Sequence, residues 1–266
     1  MPRSTYYQSF RKVKSAYEIE NEEITATILA IHEKSKGRYG APKIHRELLK
    51  KGYIVSLKRV QRLMKEADIR SIITKKYCPA PSNSVIEERE NLLEQDFTTT
   101  TINEKWAADI TYIHTLGNGW CYLASVLDLH TRKIVGYSFS TSMTTELVLH
   151  ALANAIEVQQ PEEGLILHTD LGSQYTSEEF GQAVQAAEIK HSFSRKGCPY
   201  DNASIESFHA TLKKEEVYQT NYSDFEETRL SLFQYIESWY NRTRIHGSID
   251  YLTPQELEDL CRQEVA

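Results

Sequence analysis

The sequence predicts an α/β protein, a mixed-sheet core preceded by a small all-helical domain, and three observations carry that expectation. Residues 105 to 139 break into three successive runs of strand character joined by short turns. Two amphipathic helices, Thr144 to Gln159 and Ser177 to Ala187, flank the short apolar run Leu165-Ile-Leu-His168, as helices covering a sheet do. Upstream, short helical periodicities fill residues 1–73.

In that first region Ile24, Ile28 and Ile31 share one helical face. Pro42 opens a second helix, in which Ile44 and Leu48 pair before Gly52 stops it. Ser56 caps a third, where Leu57, Val60, Leu63 and Met64 point inward and Lys58, Arg59, Arg62 and Lys65 outward, the pattern of a helix-turn-helix recognition helix. The alternative is the solvated surface of a small bundle. Thr74 to Ser84 has linker composition, and Glu87 to Phe97 reads as a connecting helix. The predicted units are 1–73, a linker segment 74–104, a catalytic core 105–220 and a helical extension 221–266.

Within the core, Trp106, Ala108, Ile110 and Tyr112 fall on one side of a strand and Asp109 with Thr111 on the other. A turn at Leu116-Gly-Asn-Gly119 leads to strands Trp120 to Leu127 and Lys133 to Phe139. Asp128 stands where those two strands join, which favours a turn role over ligation. The apolar run at 165–168 ends at Thr169-Asp170-Leu-Gly172, so Asp170 lies just past a buried strand, and a short strand follows near Lys190 to Ser194. Pro199-Tyr-Asp-Asn202 supplies a breaker and two good N-cap residues before a helix from Ala203 to Val217. On it Glu206, Ala210 and Lys213 share a face. Phe225 to Trp239 reads as one long amphipathic helix. At its end the basic and aromatic residues of Tyr240-Asn-Arg-Thr-Arg244-Ile-His246 either track DNA or cap the helix and pack on the core.

Asp109, Asp170 and Glu206 are the candidate metal ligands, with Lys213 to hold a phosphate beside them. Thirty-five residues separate Asp170 from Glu206, and Lys213 follows seven positions later. Spacing alone decides little, since 37 of 266 residues are acidic; the strand, strand-end and helix contexts carry the argument. Transfer at a phosphodiester suits two magnesium ions about 3.5–4 Å apart, one activating the attacking oxygen and one stabilising the leaving oxygen. Magnesium asks for a few carboxylates plus substrate oxygens and water, and manganese can substitute. Thr111, His168, Gly172, Asn202 and Ser207 are expected to shape the site, as is His209, and Lys214, Arg195 and Lys196 to line a basic groove beside it.

Trp106-x-x-Asp109-Ile-Thr-Tyr112, His168-x-Asp170-x-Gly172-x-x-Tyr175, Asp201-Asn202-Ala203-x-x-Glu206-Ser-Phe208 and Leu212-Lys213-x-Glu215 resemble the transposase of the insertion-sequence-three family, second reading frame. Tyr39-Gly-x-Pro42 upstream and Tyr240-Asn-x-x-Arg244-x-His246 with Thr253-Pro254 downstream extend the likeness over nearly the whole chain. The resemblance implies a ribonuclease H-like core related to retroviral integrase, with the two aspartates on adjacent strands and the glutamate on a helix crossing them. It implies metal-dependent cleavage at element ends and strand transfer. It further implies a circular intermediate, a homo-oligomer on DNA, and fusion to an upstream reading-frame product. Met1-Pro-Arg-Ser-Thr-Tyr-Tyr resembles that join, so the chain is expected to be the second half. Two other readings remain open: a ribonuclease H-like nuclease without strand transfer, and an inactive DNA-binding regulator.

Composition sets bounds on these expectations. The 266 residues, 40% of them hydrophobic, can bury a core and carry a second domain. Cys78, Cys121, Cys198 and Cys261 lie far apart, which argues against a disulfide framework or zinc knuckle. No long apolar run or secretory signal is present, so a cytoplasmic, nucleoid-associated protein is expected. The net charge of −6 divides unevenly, with residues 1–80 holding 18 Lys+Arg against 8 Asp+Glu. DNA affinity is therefore expected to come largely from the first domain, because phosphate neutralisation releases counterions.

Overall fold

A computed structural model describes residues 14–72, 90–195 and 198–265. The chain forms two compact units, 1–75 and 76–266. The linker composition at 74–84 and Lys196 lie outside the described residues.

Three helices build the first unit, α1 (Ala16–Lys34), α2 (Ala41–Lys50) and α3 (Leu57–Glu66). Ser15 and Glu18 form a reciprocal capping box at α1, Pro42 occupies the first turn of α2, and Ser56 accepts from the Arg59 amide at the start of α3. Ile24, Ile28, Ile44, Leu48, Val60 and Leu63 close the core between them. Leu57 departs from expectation. It is 36% exposed, because it occupies the first helical position, ahead of the stripe that Val60, Leu63 and Met64 bury.

The second unit is organised by a five-stranded sheet in the order β3-β2-β1-β4-β5. Strands β1 (Lys105–Thr115), β2 (Gly119–Asp128) and β3 (Ile134–Ser140) form an antiparallel meander, while β4 (Ile166–Thr169) and β5 (Lys190–Phe193) run parallel to β1. Helix α4 (Thr145–Gln159) covers one face, with Leu147, Val148, Ala151 and Leu152 packed on Trp106, Ala108, Ala124 and Val126. It lies so close that a Cβ at Gly136 would come within 2.3 Å of the Ala151 carbonyl oxygen, so β3 tolerates only glycine there. Helix α5 (Glu178–Ala186), capped by Ser177, links β4 to β5, and α6 (Ala203–Glu215) packs on β1. This is the mixed α/β core expected, with the strands of Asp109 and Asp170 adjacent.

Pairing of β1 with β4 ends at Ala107, whereas pairing with β2 runs to Thr115. The stretch from Asp109 to Thr115 therefore keeps one edge that no described strand fills. Asp128 ends β2 as a turn residue. It is buried and accepts from the amides of Asn103 and Thr131 and from the Thr131 hydroxyl.

Two expected helices differ. Residues 90–97 form turns, not a connecting helix. The Leu92 and Leu93 amides donate to the Ser192 hydroxyl and the Phe193 amide donates to the Glu90 carbonyl, so β5 holds this segment through side-chain and backbone bonds that compete with helix. The helix from Phe225 divides into α7 (Phe225–Phe233) and a π-helical segment, Gln234–Tyr240. That widened turn brings Tyr235, Ile236, Trp239 and Tyr240 inward together.

Arg244 is not a DNA-facing group. Its guanidinium lies against Glu215 at the end of α6, with Nη2 donating at 3.0 Å and Nε at 3.1 Å. The Tyr235 hydroxyl and Trp239 Nε1 donate to the same buried carboxylate at 3.0 and 3.1 Å. Asn241 clamps the start of β3 through both the N–H and the C=O of Ile134. The final helix, α8 (Pro254–Val265), docks through buried Glu258, which meets Lys133, Gln159 and Arg262. Arg244→Leu should therefore lower the unfolding free energy by about 3–5 kcal/mol in urea denaturation, because it leaves the Glu215 charge buried without its cation. Arg244→Leu with Glu215→Leu should recover part of that loss. A DNA-contact role would instead leave stability unchanged.

Candidate active site

Three separate stretches of sequence converge beside the free edge of β1. Asp109 projects from mid-strand, Asp170 follows the last residue of β4, and Glu206 sits in the first turn of α6. Asp109, Thr111 and Tyr112 line one cleft with Glu206, His209, Ala210, Lys213 and Lys214. The shared face of Glu206, Ala210 and Lys213 is thus turned onto the strand that carries Asp109.

The electrostatics record the same convergence. Burial, reinforced by the charge of Asp109, raises the Asp170 carboxyl to about 6 against the pull of the Gly172 amide. Glu206 is raised for the same two reasons, burial first. Burial lowers the Lys213 ammonium while Asp109 acts to raise it. The Tyr175 phenol, wholly buried and facing the fields of Asp109 and Asp170, is held far above its ordinary range.

Small contacts fix the two aspartates. The Gly172 amide donates to Asp170 Oδ1 at 2.9 Å, and a Cβ at Gly172 would stand 2.9 Å from that oxygen, so a side chain would displace the carboxylate. His209 Nδ1 lies 3.4 Å from Asp109 Oδ2. Asn202 does not cap α6 as expected. Its Nδ2 donates to the Ala108 carbonyl at 3.2 Å, just beyond the point where β4 stops pairing with β1. Asp201 does not cap the helix either. It is buried, and although burial opposes ionisation, bonds from Arg195 and Gln95 bring its carboxyl down to about 2, with Asn91 donating as well. Arg195 is thereby tied to Asp201 beside β5, with its side chain still 57% exposed. These two residues are spent on long-range contacts, so the local rule for helix starts misses them.

His168 is fully buried, its two ring nitrogens bonded to the Ser192 and Ser194 hydroxyls at 2.9 Å, and burial lowers it to about 4. It is a neutral strut between β4 and β5. Ser207 lies elsewhere: with Ser204 and Thr211 it lines a separate cleft toward Arg132 and Tyr240, because position 207 is turned about 100° from 206 on the helix. In the first unit, Lys58, Arg62 and Lys65 are exposed on α3. Arg59 is engaged with Glu20 and Asn21 and stacks on Tyr17 at 4.6 Å, and Arg62 bonds the Tyr17 hydroxyl at 2.7 Å. Sequence reading quoted Tyr112 and Glu215 as members of motifs without giving either a role, and it did not single out Tyr218.

The donor set suits a hard divalent cation. Its candidate ligands are carboxylate oxygens, and a cation would offset both the burial and the charge of Asp109 that raise Asp170 and Glu206. Tyr175 Oη, Asn202 Oδ1 and His209 Nε2 are buried polar atoms around these residues with no protein partner. Among the described residues no three His, Cys, Asp or Glu side chains close around one ion by themselves. That accords with magnesium, which uses one or two carboxylates and completes its shell with water and phosphate oxygens.

Two descriptions of an integrase core domain match the chain, one over residues 100–199 and another over 187–254, and a helix-turn-helix-like domain matches residues 18–77. The chain is 38% identical over 235 residues to transposase InsF for insertion sequence IS3A of Escherichia coli K12, covering 88% of this chain and 81% of that one. It is 38% identical over 245 residues to the transposase for insertion sequence element IS904 of Lactococcus lactis, covering 92% and 96%. Among solved structures, the HTLV-2 integrase catalytic core domain in complex with magnesium aligns at a TM-score of 0.45 and 16% identity, over 59% of this chain and 97% of that one.

The raised carboxyl of Asp170 predicts a pH-dependent stability. An acid whose folded pKa, about 6, exceeds its unfolded value of roughly 3.9 destabilises the fold above both, and the effect fades as pH falls through 6 and is gone below about 4. Without divalent metal, Asp170→Asn should stabilise the protein by about 1–3 kcal/mol at pH 7.5 and by nothing at pH 3.5. Equal thermal midpoints at pH 7.5 would show that neither burial nor the charge of Asp109 strains the Asp170 carboxylate.

Proposed function

The chain belongs to the IS3 family of insertion-sequence transposases, and from that premise we propose that Asp109, Asp170 and Glu206 form its catalytic centre, with Lys213 positioning the backbone phosphate. It is a DNA transposase, a DDE polynucleotidyl transferase with an integrase core. Integrase-core enzymes depend on metal and act on DNA. No described helix is long and apolar enough to cross a membrane.

The observation that supports this assignment is the reach of one charge. Beside burial, the larger cause, the charge of Asp109 helps raise Asp170 and Glu206 and acts to raise Lys213, although Asp170 follows β4 and the other two share α6, up to 104 positions from it. Groups so arranged would hold two magnesium ions, which when bound activate an attacking oxygen and stabilise a leaving one. The chain's own residues supply the rest. Lys213, drawn down by burial, offers a cation to a non-bridging phosphate oxygen. Its ammonium is held 4.1 Å from the Tyr112 ring centroid, which restricts it without neutralising it. His209 orients Asp109, and Asn202 ties the start of α6 to β1.

In the proposed sequence water attacks the phosphodiester at an element end, forming a P–O bond as the bond to the departing 3′ oxygen breaks. The freed 3′ hydroxyl then attacks a phosphodiester of another strand, forming a P–O bond as the bond from that phosphorus to the strand's own 3′ oxygen breaks. Lys58, Arg62 and Lys65, exposed on α3, and Lys214 beside the cleft are the cations proposed to meet DNA phosphates. Arg59 takes a positioning part, since Glu20 and Asn21 hold it. Assembly as a homo-oligomer on paired ends, and action with an upstream reading-frame product, belong to the same proposal.

The test is cleavage and joining on a plasmid carrying the terminal sequences that flank this reading frame, with magnesium or manganese. Asp109→Asn, Asp170→Asn and Glu206→Gln should each reduce both products to background, while Lys213→Ala should lower cleavage on the order of 10²-fold. Full activity in any one carboxylate variant removes that residue from the centre. Cleavage by wild type without joined product favours a nuclease over a transferase.

A further inference from the structure

Next to the catalytic cleft lies an exposed aromatic cluster that the mechanism above does not use. Trp120, opposite His114 in the β1–β2 register, contacts Tyr112 and His114 edge to face at centroid separations of 5.2 and 5.0 Å. The Trp120 and Tyr112 side chains are 55% and 57% exposed, and Tyr218, after the end of α6, is 69% exposed. Large aromatic rings left in water forgo the stabilisation that burying each would bring. They stand beyond the cover of α4, on the part of the hairpin that β4 does not reach.

The cluster is continuous with the active site. A second cleft, lined by His114, Leu116 and Trp120, shares Tyr112, Lys213 and Tyr218 with the cleft that holds Asp109 and Glu206. Lys213 is the hinge between them, its ammonium over the Tyr112 ring and its reach toward the carboxylates. A ligand that places a phosphate at Lys213 would thus extend its neighbouring group over aromatic rings that are not stacked on one another. Nucleotides have that combination, an anionic backbone and a flat base with two π faces, but in a paired duplex the base faces are already stacked.

We propose that Trp120 and Tyr112, with Tyr218 at the rim, form a stacking site for an unpaired base adjoining the phosphate on which the enzyme acts. The proposal rests on the catalytic reading for the identity of that phosphate. Opening the duplex end costs a few kcal/mol unless the base finds another stacking partner, and a platform beside the metal site provides one. It makes the enzyme selective for frayed or forked ends over continuous duplex, a discrimination by strand state that needs no reading of sequence.

Trp120 supplies its own probe, because Trp106 and Trp239 are buried and it alone of the three tryptophans is exposed. The full chain, in EDTA, is titrated with a duplex bearing a three-nucleotide single-stranded fork and with the blunt duplex of the same sequence, following tryptophan fluorescence and anisotropy of a labelled strand. The fork should quench the fluorescence and bind more tightly than the blunt duplex. Trp120→Leu should weaken fork binding about 5- to 150-fold, and Trp120→Phe should restore most of it. Thermal melts establish that both variants are folded. Equal affinity for the two DNAs, or fork binding unchanged in Trp120→Leu, overturns the proposal. So does a wild-type dimer in sedimentation that Trp120→Leu converts to monomer, which would make the cluster a contact between copies. Because binding is measured without metal, loss of the catalytic assignment in the cleavage assay and loss of the stacking site are separate results.

Discussion

Asp109, Asp170 and Glu206 repel one another, and the second unit is built to keep them near each other regardless. A buried carboxylate beside a like charge relaxes by moving away or by taking up a proton, and burial together with the charge of Asp109 raises Asp170 to about 6. Each acid is therefore carried on a different rigid element whose position is settled elsewhere. Asp109 is held by ten register pairs with β2, Asp170 by the parallel seam of β4 and β5, and Glu206 by a helix anchored at both ends.

Those anchors put several of the buried polar groups to use. At the start of α6, Asn202 bonds the Ala108 carbonyl, and Asp201 gathers Arg195, Asn91 and Gln95 from the segments around β5. At its end, Glu215 gathers Arg244, Tyr235 and Trp239 from the C-terminal helices. Both hubs are buried anions with multiple donors, a state in which removing one partner is far more costly than the net worth of the whole. The π-helical turn at Gln234–Tyr240 belongs to the same device, because it sets Tyr235 and Trp239 to point at one carboxylate. Rotation of α6 about its axis by one residue would carry Glu206 toward the direction in which Ser207 now points, into the neighbouring cleft, and the clamps oppose that rotation.

Much of this was legible in the sequence because it is local. The strand through Asp109, the position of Asp170 after an apolar run and the shared face of Glu206 and Lys213 follow from periods of 2 and 3.6 residues. What was not legible is long-range. Asp201 and Asn202 have the composition of helix caps, and only the fold reveals partners 94 to 110 positions away. Arg244 looks like a DNA contact because an arginine among aromatics is the same string whether it faces phosphate or a buried glutamate; burial decides, and burial is tertiary. The turns at 90–97 replace a helix for a similar reason, since the Ser192 hydroxyl that accepts the Leu92 and Leu93 amides is a hundred residues downstream.

Charge raises the remaining question of how an acidic unit approaches DNA. Residues 81–266 hold 13 Lys+Arg against 29 Asp+Glu. Several of those cations are already paired: Arg244 with Glu215 and Lys133 with Glu258 in largely buried pairs, and Arg195 with Asp201 and Arg262 with Glu258 while still about half exposed. Counterion release, the main source of non-specific affinity, needs cations that face outward, and this unit offers few. Attraction over distance then falls to the basic residues 1–80, and at the cleft itself to the divalent ions and Lys213. Divalent ions held by these carboxylates would do two jobs in one place, relieving the repulsion among them and reversing the sign of the surface that the phosphate must approach. Metal loading would then strengthen a hold that the basic residues 1–80 and the aromatic cleft begin without it, which couples full engagement of the substrate to the competence of the site.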